Sequence, residues 1–550
     1  MATITLDKRV LLKLVGKKLT DQELERQLSM LGAPVDAVLE HEVQVDISPN
    51  RPDWLSEQGL SRALRSFLGL RTGLGQYKVG REGYTVIVEK AVSGVRPYTA
   101  CAVVKGLKLD DEKIRQIIQT QEKLHVTYCR NRKKAAIGIY PLDKLAFPIT
   151  YTAKKPEDIV FVPLDAGRQM NAKQLLVQHP TGRAYGFLLE GKPKFPVFLD
   201  SKSRVLSVPP IVNSHHTGKV ELVTRDVFVE CSGFDLHTIK TLLNIIVTML
   251  ADMGGRIVGV DVKYAKKITT PDLTPGRMKF DLDAVNALLG LELKEGEAKR
   301  LLERMGFGYA NKQVLIPGYR ADIMHLVDLA EDMAIAYGYD SLKPEIPQVP
   351  TIGSEDAFLK FQNAIANFLV GLGLLETHTY HLTTAAVQAK LMNAKTEVIE
   401  LANALTVDYN ALRAWLLPSL LEVLKINKMK EYPQKFFSIG RVFKPQPKTP
   451  TQVEEPTMLS IVLAHPKADY TEIRQVLEYL CRTLGLQCVI EEAEHQSFIP
   501  GRAAQFKLNG KQVAIFGELH PQVITNFGLD MPVAAAELNL DDVCGAVKKT

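Results

Sequence analysis

The segment Arg320-Ala-Asp322-Ile-Met-His-Leu-Val-Asp328-Leu-Ala-Glu331-Asp332-Met-Ala-Ile-Ala-Tyr337 gathers four carboxylates on one short stretch. Asp328, Glu331 and Asp332 stand at i, i+3 and i+4, so a helix here puts their side chains on one face. Asp322 falls one turn earlier, where an N-cap belongs. Met324, Val327, Ala330 and Ala334 predict an opposing apolar stripe. Crowded carboxylates without interleaved lysine repel unless a cation neutralises them. Hard oxygen ligands with no Cys or His favour Mg2+. A solvated acidic face uses the same spacing, so the pattern alone leaves both readings open.

A second polar cluster is Pro210-Ile-Val-Asn213-Ser214-His215-His216-Thr217-Gly218, followed by Arg225-Asp226-Val-Phe-Val-Glu230 and Gly233-Phe-Asp235-Leu-His-Thr238. Amide, hydroxyl and carboxyl groups in one crevice suit gripping an amino acid or orienting a water. Asn213, Ser214, Glu230, Asp235 and Thr238 are the candidates. A polar loop and a helix cap account for the same residues, with Asp235 capping a helix that begins at Leu236. No Ser-His-Asp order or nucleophile elbow is present, which disfavours a covalent nucleophile. His215 and His216, adjacent in sequence, point apart and disfavour a two-histidine metal site. The basic run Arg130, Arg132, Lys133, Lys134 could hold phosphate or form a solvated turn.

The elements that must position these groups follow from periodicity. Residues 1–80 predict a small α/β unit: a strand at 3–6, a helix at 11–15, a Thr20-to-Glu23 capping box opening a helix to Leu31, a strand at 43–47 and a helix at 57–68. The proline-rich Ser48-to-Ser56 stretch predicts a rigid strand-to-helix corner anchored by Trp54. Residues 85–265 alternate like strands at 84–89, 101–104, 135–140, 159–162 and 227–231, with helices at 112–125 and 235–254, which predicts an α+β domain. A linker at 270–276 leads to a compact unit at 268–345, with helices at 281–289 and 295–305, and Pro344, Pro347 and Pro350 end it. Residues 355–550 predict helices at 357–372, 412–428 and 469–484, and strands at 376–380, 436–439, 459–463, 504–508, 513–516 and 534–538: a large antiparallel sheet with flanking helices.

The 550-residue chain is too long for one core. Lys plus Arg number 68 against 62 acidic residues, which permits a nucleic-acid partner without requiring one. The six cysteines have no zinc or disulfide spacing. The early charges at Asp7, Lys8 and Arg9 argue against a signal peptide, and the apolar run near 242–250 is too short to span a membrane. A cytoplasmic location is expected.

Four stretches in order carry a resemblance: Asp46-Ile-Ser-Pro-Asn-Arg-Pro-Asp53, Asn213-Ser-His-His-Thr-Gly218, the 320–339 segment, and Leu412-Arg413-Ala-Trp-Leu-Leu-Pro-Ser-Leu420 followed by Phe437-Ser-Ile-Gly-Arg-Val-Phe443. Over essentially its whole length the chain resembles the beta subunits of phenylalanine-tRNA ligases of the archaeal or eukaryotic form, in the class II aminoacyl-tRNA synthetase family. The resemblance implies a B1-like N-terminal unit and a middle B3/B4 editing domain that hydrolyses tRNA(Phe) mischarged with tyrosine. It implies a small helical B5 domain on a DNA-binding-like fold, then a class II synthetase-like domain that is catalytically silent. The partners implied are an alpha subunit carrying the activation site for ATP and phenylalanine, in a complex of two alpha and two beta chains, and tRNA(Phe). The same resemblance makes Asp322, Asp328, Glu331 and Asp332 ligands of Mg2+ shared with the alpha subunit, with Asp332 reaching the ion through water. Consistent with silence, no Gly-rich segment with a terminal Arg follows Gly440-Arg-Val-Phe. A stand-alone editing hydrolase and a Mg2+-organised nucleic-acid scaffold are the other readings. The first would not need the large C-terminal region, and the second leaves the polar cluster unexplained.

Overall fold

A computed structural model describes residues 2–346 and 352–547, which divide into two compact α+β units with the break near Ile346. Pro347 and Pro350, expected to end the 268–345 unit, lie outside the described residues.

The first unit begins with a three-stranded antiparallel sheet in the order Ala2–Asp7, Glu42–Ile47, Val35–Val38. Asp7 caps the helix Lys8–Val15, the Thr20–Glu23 box caps Asp21–Leu31, and Gly32 ends that helix at φ +99°. Local chemistry alone sets these boundaries. The corner at 48–56 is tightened by a buried fork, in which the Arg51 guanidinium donates twice to Asp53 at 2.9 and 2.8 Å and lies 3.7 Å over the Trp54 ring. Burial opposes the Asp53 charge, but Arg51, with Arg320 and Arg62 nearby, outweighs it and holds the carboxyl below its ordinary range. Ser56 then caps the helix Glu57–Phe67.

A ten-stranded mixed sheet follows, its strands hydrogen-bonded in the order Val212–Asn213, Val205–Val208, Phe195–Leu199, Ile149–Lys154, Gly80–Val88, Arg256–Lys263, Tyr98–Lys105, Val227–Gly233, Ala135–Pro141, with Lys267–Thr270 added on Arg256–Lys263. It thus starts before residue 85 and continues past 265. The helices Asp111–Val126 and Leu236–Asp252 pack against one face, and a second core fills the other. Along Val227–Gly233 the period of two sends Val229 and Cys231 to the helix-covered core and Phe228 to the opposite one, with Glu230 on the Phe228 side. The strand expected at 159–162 is only Val160–Phe161.

The remainder of the first unit has a three-stranded sheet (Gly276–Lys279, Gln313–Ile316, Gly308–Ala310) and helices Leu282–Leu289, Glu295–Arg304 and Leu326–Tyr337. Their core, through Phe307, Leu329 and Met333, is continuous with that of the N-terminal helices.

The second unit is a seven-stranded sheet in the order Leu375–Glu376, Gln434–Arg441, Thr457–Ala464, Val533–Asn539, Lys511–Leu519, Phe498–Leu508, Val489–Glu492. All pairs are antiparallel except the first, which is parallel. Helices Ala357–Gly371, Tyr470–Thr483 and Leu540–Val547 cover one face, and Leu417–Asn427 and Pro521–Asn526 the other. The helix expected from residue 412 starts at Leu417. Ala411–Leu412 is a strand instead, and Leu417 precedes Pro418 in the first turn, where proline's missing N–H costs nothing.

Only two tryptophans exist, Trp54 in the first unit and Trp415 in the second. In a Trp415→Phe background, fluorescence-detected unfolding therefore reads the corner alone. Arg51→Ala leaves Asp53 buried without its partner and should lower the stability read there by about 3–5 kcal/mol; an unshifted midpoint would contradict the fork's role.

Candidate functional site

The acidic segment folds differently from its spacing. The helix is Leu326–Tyr337 and its N-cap is His325, so Asp322 is not the cap. Asp322 instead takes two hydrogen bonds from Arg320 at 2.8 and 2.7 Å, and Arg320 donates a third, at 2.8 Å, to Asp332. The Arg320 side chain is 1 % exposed and lies 4.9 Å over the Phe307 ring. Burial works against its charge, but Asp332 and Asp322 outweigh this and raise its pKa further.

Asp332 is therefore on the buried side of the helix with Leu329, Ala330 and Met333, while Met324 and Val327, expected in the apolar stripe, are exposed. Asp328 closes the capping box, one carboxylate oxygen accepting from the Met324 and His325 N–H groups at 2.7 Å each. Glu331 is exposed. Asp322 and Asp332 are committed to a guanidinium, and among the described residues no three His, Cys, Asp or Glu side chains converge on one point. Asp328 and Glu331, one turn apart, do fit the one or two carboxylates that a largely hydrated Mg2+ takes.

The polar cluster also divides. Asn213 and Glu230 line one cavity of about 160 Å3, whose wall continues through His125, Arg132 and Ser207. Ser214 is buried beside it, its N–H bonded to the Leu206 carbonyl. Asp235 and Thr238 are not in this cavity. The Asp235 carboxylate accepts from the Thr238 N–H at 2.6 Å and caps Leu236–Asp252, and that bonding lowers its pKa. The local capping preference decided their place.

Behind the cavity wall the Tyr140 hydroxyl stands 2.8 Å from Ser207 Oγ, 3.2 Å from Glu230 Oε1 and 3.3 Å from Asn213 Oδ1. Glu230 is opposite Gly138 in the sheet register. The glycine is required, because a Cβ there would lie 2.3 Å from Tyr140 Oη and 2.6 Å from Glu230 Oε1. Burial pushes Glu230 up to about 8, with Arg96 and the Tyr140 hydrogen bond opposing it, so the carboxyl is neutral at pH 7. Its Oε2 is buried and makes no well-formed hydrogen bond, although the Ser232 hydroxyl is near enough to join Arg96 and Tyr140 in favouring the charge.

The rim is formed by Glu122 and His125, which no sequence motif marks, together with Arg132. His125 Nε2 accepts from the Ile137 N–H at 2.9 Å while Nδ1 faces Glu122 at 3.1 Å, which places the proton on Nδ1. Burial holds His125 below its ordinary pKa, so it is neutral. Burial would raise Glu122, but His125 and Arg132 outweigh it and hold Glu122 low. Arg132, expected in a basic solvated turn or on a phosphate, is buried. It donates to the Pro210 and Ile211 carbonyls at 3.1 and 2.9 Å and to Glu122 at 3.0 Å, and lies 4.2 Å over Tyr185. Arg130, Asn131 and Arg132 all have positive φ, a left-handed turn that aims Arg132 inward. Asn131 was the one local signal for that turn.

In the second unit Glu537 accepts from the Leu416 and Leu417 N–H groups at 2.9 and 2.8 Å, taking up donors at the start of Leu417–Asn427, and burial pushes it up to about 7. Arg413 is buried and donates to the Arg441 and Thr379 carbonyls. Gly440 makes room for it, since a Cβ would come within 2.5 Å of Arg413 Nη2.

Three family descriptions match: the Phe-tRNA synthetase beta subunit B1 domain over residues 1–70, the tRNA synthetase B5 domain over 278–339, and the phenylalanyl tRNA synthetase beta chain CLM domain over 342–540. The chain is 41 % identical over 539 residues to a phenylalanine-tRNA ligase beta subunit of Thermococcus sibiricus, covering 96 % of each. It is 40 % identical over 549 residues to that of Archaeoglobus fulgidus, covering 98 % of each. A crystal structure of an N-terminal fragment of the Pyrococcus horikoshii phenylalanyl-tRNA synthetase beta subunit matches 61 % of this chain and 99 % of that fragment, at 38 % identity and a TM-score of 0.59. With such identity along almost its entire length, this chain belongs to the family of phenylalanine-tRNA ligase beta subunits.

Proposed function

We propose that the chain works with an alpha subunit in the ATP-dependent attachment of phenylalanine to tRNA(Phe), and that the Glu230 cavity removes tyrosine from mischarged tRNA(Phe). Family membership supports the first part. The state of Arg413 supports an activation site on the alpha subunit, because a guanidinium spent on backbone carbonyls has little left for ATP phosphates. No helix among the described residues is long and apolar enough to cross a membrane, in keeping with work in the cytoplasm on tRNA.

The Oε2 of Glu230, buried without a well-formed hydrogen bond, carries the editing reading. A buried neutral carboxyl can donate to, and accept from, a phenol hydroxyl, and a phenylalanine ring would leave it unpaired. Sites built this way reject the analogue lacking the hydroxyl by roughly 10^4- to 10^5-fold. Synthesis needs such a second sieve, since an apolar pocket excludes an added hydroxyl poorly. Ser207 and Asn213 hold the buried Tyr140 hydroxyl, which in turn orients Glu230, and the His125–Glu122–Arg132 set fixes the rim. Both nitrogens of His125 are engaged, so it positions and does not shuttle a proton. Among the described residues no base hydrogen-bonds the Ser207 or Thr181 hydroxyl on the cavity wall, so ester cleavage falls to a water held beside the bound aminoacyl group.

Mg2+ fits this account as an ion at the subunit joint on Asp328 and Glu331, supplying charge neutralisation and water ligands when bound. Those two residues would present one carboxylate oxygen each, while Asp322 and Asp332 stay on Arg320.

Glu230→Ala should slow deacylation of Tyr-tRNA(Phe) about 5- to 150-fold, the loss of one buried hydrogen bond worth about 1–3 kcal/mol, with phenylalanine charging unchanged. The raised pKa also fixes a sign. The neutral carboxyl's contribution to stability is full below about pH 4.5 and is lost as pH rises through about 8. Melting temperatures of wild type relative to Glu230→Gln should therefore fall across that window, and a pH-independent difference would sink the buried neutral acid. For the joint, Asp328→Asn with Glu331→Gln should abolish any Mg2+ dependence of sedimentation as a complex with the alpha subunit. Retained Mg2+ dependence would remove those residues from the site.

A further inference from the structure

A larger cavity of about 540 Å3 lies in the first unit between the helix Glu57–Phe67, the segment 71–78 and the start of the strand Arg256–Lys263. It shares no lining residue with the Glu230 cavity. Seven basic side chains face two carboxylates along its wall. Four of these cations are already paired: Arg51 with Asp53, Arg62 with Asp252, Arg256 with Glu82, and Arg320 with Asp322 and Asp332. Arg65, Arg71 and Lys78 have no anionic partner among the described residues.

Three further observations give this charge a shape. The Arg320 Nη1 atom is buried without a hydrogen-bond partner, on a side chain that lines this wall and is 1 % exposed. The segment Arg71-Thr-Gly73-Leu74-Gly75-Gln76 lines the cavity in irregular backbone; among the described residues only the Gly73 N–H of its glycine-rich half is committed, to the Glu303 carbonyl. Gly73 sits at φ +82°, where a side chain would be strained. The Leu74, Gly75 and Gln76 N–H groups remain as open donors beside the cations. A helix C-terminus accounts for Arg65, but not for Arg71 and Lys78 in the irregular segment.

We propose that this cavity binds one nucleotide unit through its phosphate, with Arg65, Arg71 and Lys78 on the phosphate oxygens and the 74–76 N–H groups completing the cradle. The volume falls in the range of small-ligand sites, which suits a single nucleotide and not a duplex. Guanidinium and ammonium groups with backbone donors are the chemistry that recognises phosphate. The nucleotide could be free or belong to an RNA strand, and both present the same phosphate. Nothing in this assignment depends on the editing reading.

The test uses the full chain, wild type and Arg65→Ala/Arg71→Ala/Lys78→Ala, with melting temperature confirming the fold. Binding of AMP, inorganic phosphate and a tRNA(Phe) transcript is titrated at several salt concentrations. Loss of AMP affinity by roughly tenfold with tRNA unchanged identifies a free nucleotide. Weaker tRNA binding, with the salt slope reduced by about 1, identifies an RNA phosphate. Equal affinities of both proteins for AMP and for tRNA, or an effect confined to inorganic phosphate, would overturn the proposal. Deacylation of Tyr-tRNA(Phe) at saturating tRNA should be unaffected, so failure here and failure of editing are read separately.

Discussion

Arg320 is the charge on which the first unit turns. It is almost fully enclosed, and three hydrogen bonds tie it to Asp322 two residues away and to Asp332 on the following helix. A lone buried guanidinium would cost several kcal/mol, and so would either carboxylate without it. The three groups are tolerable only together. Because its field and that of Arg62 reach Asp53, the same charge also supports the Arg51–Asp53 fork at the N-terminal corner. Phe307, under the guanidinium, belongs to the core shared by the N-terminal helices and the 276–341 segment.

Glu230 shows the opposite solution to burying a carboxyl. Among the described residues no cation is ion-paired with it, and burial pushes it up to about 8. Glu537 follows the same logic with a structural outcome, its oxygens serving N–H groups at a helix start. One chemical type thus has three fates here: paired with arginine, neutral and waiting, or capping backbone donors. Burial and the nearest donor decide among them.

Local chemistry was legible in the sequence. The capping box at Thr20, the rigid corner at Trp54 and the Asp235 cap depend on residues within four positions of one another. The sheet strands Ile149–Lys154, Phe195–Leu199 and Arg256–Lys263 carry little strand signal in the sequence, because their side chains are covered on both faces and the alternation that marks a half-exposed strand is weak. Asn213 and Glu230 were singled out by type alone. Tyr140 reaches them through the sheet register, while His125 on a helix and Arg132 in a turn are brought to the same cavity by packing between elements far apart in sequence. The acidic segment was misread for a related reason. Helical spacing predicts a shared face, but it cannot say which face an arginine outside the helix will draw into the core.

Arg320 thus holds the acidic helix and the N-terminal corner as one ionic unit. Hydrogen-deuterium exchange on the full chain tests it most directly, comparing wild type, Arg320→Ala and the triple variant Arg320→Ala/Asp322→Ala/Asp332→Ala. The account predicts faster exchange in Arg320→Ala at both Leu326–Tyr337 and Pro52–Trp54, with partial recovery in the triple variant, where no buried carboxylate is left unpaired. Wild-type exchange at both segments in Arg320→Ala would contradict it.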